Sequence, residues 1–408
     1  MKAMQNRERG SAGQHQGAAM KKGWQTKTLG DICEMYQPKT ISGKDMIEDG
    51  KYLVYGANGV IGRYNEFNHE DPQLLITCRG ATCGSVNVSA PRSWVTGNAM
   101  VVRPKYESLE MRYLEYLFRG GIDISKAITG AAQPQITRTN LEPLEISFPE
   151  SLVEQQRIVG LLDEAFEGLA TAKANAEKNL QNARALFESH LQSVFTQRGP
   201  GWVETTLEEV LTLQPQNGWS PPAANHATSG TPVLTLSSVT GFVFRPNKLK
   251  YTSAKTDPKA RYWIQNGDLL ITRSNTPELV GHVAIASGIE GSTIYPDLIM
   301  RMNPMPDRAL TKFLYYQLRT PELRTEIMGR AQGANPTMKK ISNGAVKTLP
   351  ISVPPIATQQ AIVAKLEALT EETQSLARLY ERKLAALEAL KKSLLHQAFT
   401  GKLQRLLD

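Results

Sequence analysis

The stretch EQQRIVGLLDEAF at residues 154–166 returns, with few changes, as TQQAIVAKLEALT at residues 358–370. The two copies lie 204 residues apart, whereas solenoid repeats have periods of about 20–50 residues. Each copy follows a short apolar run with proline at its end, and each opens a long run without proline. The repeat therefore predicts two copies of one large module, each ending in a long helix.

The rest of each module repeats in the same order. The matching pairs are GWQTKTLGDI and GWVETTLEEV, LLITCRGATCG and LLITRSNTPELVG, and GAAQPQI and GANPTMKKI. Short apolar runs such as YLVYG and QLLIT have the length of β-strands and are bounded by Gly, Asn and Pro. We therefore predict an α/β (α+β) fold with two mixed α/β domains.

The long runs carry a heptad pattern. Mostly apolar or small residues recur at alternating steps of four and three over residues 158–190, and the second copy repeats the pattern over 362–394. Asn179 and His190 interrupt the first stripe, and Thr373 and Lys383 interrupt the second. A pattern sustained over more than four heptads indicates a coiled coil. An antiparallel pairing in which Ala165 faces Leu387 places small residues against large ones, which favours it mildly over a parallel pairing. Two helices packed on separate partners remain the alternative.

These features divide the chain into five segments with a pseudo-twofold internal repeat. We expect a disordered basic tail at 1–22, a first mixed domain at 23–150, a long helix at 151–198, a second mixed domain at 199–355 and a second long helix at 356–408.

The net charge of +8 is unevenly distributed. Residues 1–22 hold five basic residues and one acidic residue, and residues 199–355 hold sixteen basic and eleven acidic residues. Residues 23–151, in contrast, hold thirteen basic and fifteen acidic residues. Charge alone therefore does not identify a nucleic-acid-binding protein.

Several functional classes lack their sequence signals. No apolar run is long enough to cross a bilayer, and three cysteines cannot form a disulfide framework. There is no phosphate-binding G-x-x-x-x-G-K-[ST] motif, no Asn/Asp-Pro-Pro-aromatic methyltransferase loop, and no histidine spacing that suits a metal. We therefore expect a cytoplasmic chain with no catalytic residue, no cofactor and no metal.

A duplicated module suits a target that is itself twofold symmetric. Dimeric DNA-binding proteins place two readers on half-sites at a fixed spacing along the duplex. Here both readers would lie on one chain and differ in sequence, so the two half-sites would differ and an unread spacer would separate them.

The chain resembles the specificity subunit of type I restriction–modification systems. The resemblance covers about residues 20–402. It is carried by YGANGVIGRYN, LLITCRGATCG, GAAQPQI, GDLLITRSN and the twice-written proline and Gln-Gln start of a long helix. The second domain has no clear copy of YGANG, so its corresponding loop is unassigned.

The resemblance implies two target recognition domains, each reading one half of a bipartite site in double-stranded DNA. It also implies that the paired helices dock methyltransferase subunits, two of them by our expectation, and that restriction motor–nuclease subunits join the complex. Three alternatives stay open at this stage. They are a non-catalytic coiled-coil scaffold with two protein-binding heads, an enzyme of unrecognised class, and a recognition subunit of another phage-defence system.

Candidate DNA contacts follow from residue type and loop position. Base edges are read by Arg, Lys, Asn or Gln, and phosphates by Lys, Arg or small polar groups. In the first domain the candidates are Lys39, Thr40, Lys44, Arg79, Thr82, Gln133, Gln135, Arg138 and Asn140. In the second they are Arg273, Ser274, Asn275, Asn335, Lys339 and Lys340. Arg79 and Arg273 are favoured because each follows a matching LLIT strand. The alternative for each residue is a solvated loop position or a turn former.

Overall fold

The long helices are shared between two packed units in this computed structural model, which describes residues 23–335, 337–400 and 402–403. The first unit comprises the described residues up to Ala176 together with those from Arg382 onward, and the second unit is Glu177–Glu381. Each unit therefore combines one mixed domain with the start of one long helix and the end of the other. The expected disordered tail at 1–22 lies outside the described residues.

The strands of the first unit are short and lie at the apolar runs of the sequence. They are β1 (Trp24–Thr28), β2 (Cys33–Tyr36), β3 (Tyr52–Gly56), β4 (Gly59–Tyr64), β5 (Leu74–Thr77), β6 (Val86–Val88), β7 (Trp94–Val95), β8 (Ala99–Pro104) and β9 (Glu145–Pro149). They form a four-stranded sheet in the order β2-β8-β5-β6, a three-stranded sheet β4-β3-β7 and the pair β1-β9.

The second unit repeats the central sheet. Its strands are β10 (Val203–Thr206), β11 (Leu211–Asn217), β12 (His226–Ala227), β13 (Thr231–Leu234), β14 (Leu249–Thr252), β15 (Leu269–Thr272), β16 (Ser274–Asn275), β17 (Val283–Ile285), β18 (Ile299–Pro304), β19 (Lys339–Lys340) and β20 (Pro350–Val353). The sheet β11-β18-β15-β17 has the strand order of its counterpart, and β10-β20 matches β1-β9. The sheet β12-β14-β13 and the pair β16-β19 complete the unit.

The helices are of two kinds, short ones within the domains and two long ones between them. They are α1 (Leu29–Ile32), α2 (Met111–Tyr116), α3 (Arg138–Leu141), α4 (Leu152–Thr196), α5 (Thr311–Gln317), α6 (Pro321–Arg330), α7 (Asn343–Lys347) and α8 (Ile356–Phe399). Among the described residues, every pair of hydrogen-bonded strands is antiparallel except β3 with β7. The mixed fold is therefore of the α+β type.

The two LLIT strands, β5 and β15, are the buried centres of the central sheets. All four residues of each strand are buried, and each strand pairs on both edges. A strand covered on both faces is expected to be continuously apolar rather than alternating. The repeat of LLIT therefore marks the same structural position in both units.

The end of α8 completes the core of the first unit. Leu395 and Phe399 are buried there with Tyr113 of α2, and the rings of Tyr113 and Phe399 meet edge to face with centroids 5.3 Å apart. Gly121 allows this approach, because a Cβ at that position would lie 2.4 Å from the Phe399 ring. Aromatic packing of this kind fixes the end of the helix at one place in the core.

The end of α4 has the same role in the second unit. Phe187, Leu191 and Phe195 are buried in its core together with Phe313 of α5. The ring centroids of Phe195 and Phe313 lie 5.3 Å apart. Each unit therefore pairs the starting half of one long helix with the final half of the other, and this is the antiparallel arrangement that the heptads favoured.

The helix register differs from the one expected. Ala165 lines a cavity with Leu394, which lies seven residues beyond the expected partner Leu387, so the contacts between the helices are displaced toward the end of α8. The ion pairs of Lys173 with Glu388, at 2.8 Å, and of Arg184 with Glu381, at 3.0 Å, are displaced in the same direction, by nine and thirteen residues from the expected partners. A shift of seven residues leaves a heptad stripe unchanged, so the stripe alone cannot choose between the two registers. The docked helix ends make that choice.

A buried glutamine joins α4 to its domain. Gln155 is fully buried, and its Nε2 donates hydrogen bonds to the carbonyl oxygens of Pro149 and Ser108, both at 2.9 Å. Its Oε1 accepts a hydrogen bond from the backbone N–H of Glu110, the residue that caps α2, at 2.8 Å. One side chain therefore satisfies groups at the end of β9, before α2 and at the start of α2.

Gln359 repeats this arrangement in the second unit. It is also fully buried, and its Nε2 donates to the carbonyl oxygens of Pro354 and Arg308, both at 2.9 Å. Its Oε1 accepts from the backbone N–H of Leu310, which precedes α5, at 2.9 Å. The first glutamine of the repeated Gln-Gln pair is therefore a structural residue. Its identical hydrogen bonds in both units explain why the stretch is repeated in the sequence.

We predict that Gln155→Ala lowers the free energy of unfolding by at least about 2 kcal/mol, because an orphaned buried polar group costs about 1–3 kcal/mol. Chemical denaturation of the purified chain measures the loss. The matched control is Gln156→Ala, which makes the same change at the neighbouring, exposed helix position and should alter stability by less than about 0.5 kcal/mol. Equal losses in the two variants would contradict the role given to Gln155.

Candidate nucleic-acid interface

Two candidate loops meet at one end of the central sheet in the first unit. The loop that follows β5, here called the strand-end loop, pairs with the Gly-Ala turn of the GAAQPQI stretch at residues 130–136. The two are joined by a bridge between Arg79 and Gln135. Gly80 donates its backbone N–H to Pro134 O at 3.1 Å, and Ile136 donates to Cys78 O at 2.8 Å. The side chains of Arg79, Thr82, Gln133 and Gln135 are exposed on this loop pair. The structure therefore brings four of the candidates together.

The same frame recurs in the second unit. β16 pairs with β19, so Ser274 lies opposite Lys340 and Asn275 lies opposite Lys339. Ile341 donates its backbone N–H to Arg273 O at 3.0 Å, as its counterpart does in the first unit. Five of the six candidates of the second domain therefore belong to one loop pair or adjoin it directly.

The shared backbone bonds show which positions correspond. Because Ile136 bonds to Cys78 and Ile341 bonds to Arg273, Arg273 corresponds to Cys78, and the counterpart of Arg79 is Ser274. Successive side chains of an extended backbone point to opposite faces. The two arginines that follow LLIT are therefore not equivalent, although both were favoured as candidates because they follow that strand.

The two arginines also differ in their surroundings. Arg79 is exposed, whereas Arg273 is half-buried and its Nη1 donates to Asp297 O at 3.4 Å. The carboxylate of Asp297 in turn accepts a hydrogen bond from the hydroxyl of Ser220. Ser274 is only 1% exposed, so its hydroxyl is not accessible to a large ligand in this structure.

A third loop of the first unit adjoins this end of the sheet. The carbonyl of Lys39 accepts a hydrogen bond from Trp94 Nε1 at 3.3 Å, and Thr40 Oγ1 accepts one from Gly97 N at 3.1 Å. Asn98 then connects to the strand-end loop, because its carbonyl accepts from Cys78 N. Lys39, Thr40 and Lys44 are all exposed.

Sequence reasoning missed several polar residues of this surface. Gln37 donates from Nε2 to Gly97 O at 3.0 Å, and Asn98 is exposed beside it. Asn58 of the YGANG hairpin accepts a hydrogen bond from Asn87 at 3.2 Å. The repeated Asn and Gly residues of these loops were the available sequence signal, but they indicated only turns.

The remaining candidates have local partners. Arg138 forms an ion pair with Glu142 at 2.6 Å, and Asn140 Nδ2 donates to Thr129 Oγ1 at 3.4 Å. The side chain of Asn335 accepts from Thr337 N at 2.9 Å. Lys339 Nζ donates to a turn carbonyl at 2.7 Å. These contacts hold turns and helix starts in place, which is the role that the alternative interpretation gave them.

A further loop of the second unit is positioned by a buried histidine. Asn275 Nδ2 donates to Thr240 Oγ1 at 3.3 Å, and the next residue, Gly241, donates its N–H to His282 Nδ1 at 2.9 Å. The Phe242 ring stacks on His282 with centroids 4.1 Å apart. Burial lowers the pKa of His282 to about 4, and the cation of Arg324 acts in the same direction. The ring is therefore neutral near pH 7 and can accept the hydrogen bond.

We predict that His282 makes the chain less stable in mild acid. In the unfolded chain this histidine takes up a proton below about pH 6.5, but in the folded chain it does so only near pH 4. Stability is therefore lost as the pH falls from about 6.5 to 4, by up to roughly 3 kcal/mol. His282→Gln should remove this part of the loss, measured by urea denaturation at each pH.

The control for this experiment is His226→Gln, at an exposed histidine of the same unit. It should keep the pH dependence of the unmodified chain. An unchanged pH dependence in His282→Gln would contradict the role assigned to the buried ring.

Comparison with known proteins matches a family model described as the type I restriction modification DNA specificity domain, at residues 21–180 and again at 200–383. The chain is 26% identical over 293 residues to the EcoKI specificity subunit of Escherichia coli K12, a match that covers 69% of this chain and 62% of the relative. The chain thus matches less than two thirds of that relative's length.

Two solved structures share the fold. One comes from work on complex assembly and conformational transition of the type I R-M system, with a TM-score of 0.74, 19% identity and coverage of 95% of this chain and 100% of that one. The other is the HsdS subunit of Thermoanaerobacter tengcongensis, with a TM-score of 0.57, 18% identity and coverage of 93% and 97%. None of the helices in the described part of the chain is both long and apolar enough to span a membrane.

Proposed function

This chain belongs to the type I restriction modification DNA specificity family, and we propose that it is the sequence-specific DNA-recognition subunit of a type I restriction–modification complex. The observation that carries the proposal is the loop pair at the end of β5, which recurs at the end of β15. Both present polar side chains of the types that contact bases and phosphates.

The proposed target is a bipartite and asymmetric DNA site. The backbone frame is the same in both units, but the exposed side chains on it differ: Arg79 and Gln135 in the first unit, and Lys340 in the second, where the buried Ser274 takes the place of Arg79. Different side chains on one frame present different donors and acceptors to base edges. Each unit would therefore read a different half-site.

The long helices are the proposed docking surface for two methyltransferase subunits, which restriction motor–nuclease subunits join. Large apolar side chains are exposed on them, at Leu186 of α4 and at Leu376, Leu379 and Leu390 of α8. Leu376 and Leu379 are three residues apart and so share one face of α8, and a contiguous exposed apolar patch marks a surface that a partner can cover. Adenine methylation and DNA cleavage would belong to the partners, this chain would be non-catalytic, and the complex would act on DNA in the cytoplasm.

We expect methylome sequencing of cells that carry this chain with its methyltransferase partner to show one adenine-methylated motif, split into two different halves by an unread spacer. Cells with the methyltransferase alone are the control and should lack the motif. A methylome without any new motif would contradict the proposal and favour a scaffold without DNA recognition.

We further predict that Arg79→Ala relaxes base preference in only one half of that motif. A bidentate base contact contributes about 1–3 kcal/mol of discrimination, or roughly 5- to 150-fold at that position. The matched control is Arg92→Ala, because Arg92 is an exposed arginine of the same unit whose charge is paired with Glu70 at 2.7 Å. Equal loss at both halves would show that Arg79 maintains the fold instead.

A further inference from the structure

The positive charge of the second mixed domain is concentrated in one short stretch. Residues 248–261, here called the basic segment, contain five of the sixteen basic residues of 199–355 and only one of its eleven acidic residues. The five cations are exposed, and they are Lys248, Lys250, Lys255, Lys259 and Arg261. Outside the basic segment the domain is close to neutral.

These charges are not neutralised by neighbouring side chains. Across the described residues, none of the five cations forms an ion pair. The acidic residue of the segment, Asp257, accepts a hydrogen bond from the backbone N–H of Lys259 at 2.9 Å and so caps a turn. Exposed and unopposed charges of one sign create a potential that attracts the opposite charge.

The first part of the basic segment is a strand held on both edges. β14 lies between β12 and β13, and the carbonyl of Lys248 accepts hydrogen bonds from Thr235 N at 3.2 Å and from Ser238 Oγ at 2.7 Å. Leu249 packs on the core, while Lys248 and Lys250 are exposed. Lys248 directly precedes β14 and Lys250 is its second residue, so in an extended backbone the two lysines lie about 6–7 Å apart along the chain.

The second part of the segment is a turn held by aromatic residues. Asp257 donates its backbone N–H to Tyr262 Oη at 2.7 Å, and its carbonyl accepts from Trp263 Nε1 at 2.8 Å. The ring of Tyr262 stacks on Trp219 with centroids 5.1 Å apart. Lys255, Lys259 and Arg261 are therefore presented by a backbone that is already ordered before any ligand binds.

The basic segment adjoins the candidate interface. Lys250 lines a cavity of about 610 Å³ together with Ser220, Pro296 and Leu298. Arg273 reaches the same wall, because its Nη1 bonds to the carbonyl oxygen of residue 297. Lys250, in the strand part of the basic segment, therefore lies next to the loop that carries Arg273 within the second unit.

We propose that the basic segment holds the phosphate backbone of the DNA beside the half-site that the second unit reads. This inference rests on the proposed function and adds the place where affinity, rather than sequence preference, arises. Four of the five cations are lysines, whose ammonium groups act as point charges on flexible stems and suit the phosphate backbone. Phosphate contacts position a protein on the duplex without carrying sequence information.

The test uses the full chain in complex with its methyltransferase partner and a duplex that contains the methylated motif. In the charge-removal variant all five cations of the basic segment become glutamine: Lys248→Gln, Lys250→Gln, Lys255→Gln, Lys259→Gln and Arg261→Gln. The slope of log binding constant against log salt should become shallower by about 0.9 for each lost phosphate contact, up to about 4.5. The preferred sequence of both half-sites should not change.

The matched control keeps the charge at every position, with each lysine changed to arginine and Arg261→Lys. Its salt slope should equal that of the unmodified complex. Because all five side chains are exposed, both variants should unfold at the temperature of the unmodified chain, and a thermal scan checks this.

Three results would overturn the inference in different ways. An unchanged slope with intact specific binding would refute the phosphate role and leave the proposed function standing. Weaker assembly with the partner, at an unchanged slope for the assembled complex, would show that the segment binds an acidic protein surface instead. If the unmodified complex showed no sequence-specific binding, the proposed function would fail first, and the inference would fail with it.

Discussion

Two buried glutamine side chains determine how the long helices leave their domains. Gln155 and Gln359 each satisfy two carbonyl groups and one N–H group of the backbone that would otherwise be buried without partners. Because these groups belong to a strand end, a loop and the start of another helix, three segments must come together before any of them is satisfied. The helix start, the domain core and the position of the neighbouring helix thus depend on one another.

The opposite ends of the helices impose the second constraint. A heptad stripe allows registers that differ by whole heptads, since the same face is buried in each. The aromatic residues near the helix ends, Phe399 in the first unit and Phe195 in the second, pack against Tyr113 and Phe313 in the domain cores. The domains therefore select the register, and the heptad stripe is buried only in part, because Leu186, Leu376 and Leu390 on it remain exposed.

The interface shows how one frame can carry two specificities. The strand-end loop and the Gly-Ala turn are joined by equivalent backbone hydrogen bonds in both units, so the frame does not depend on the exposed side chains. Those side chains can then differ without loss of the fold. The basic segment also lies outside the repeated frame, because its strand β14 belongs to a sheet whose strand order differs from that of the first unit.

The amino-acid sequence by itself determined the duplicated module, the LLIT strands, the long helices and the loops that carry Arg79, Gln135 and Lys340, because periodicity and repetition are local properties of a chain. Tertiary structure alone decided the helix register, the pairing of Ser274 with Lys340 between two distant loops, and the burial of Ser274. Each of these depends on which distant backbone groups pair, and a shift of one residue turns a side chain to the opposite face. A linear pattern contains no information about that pairing.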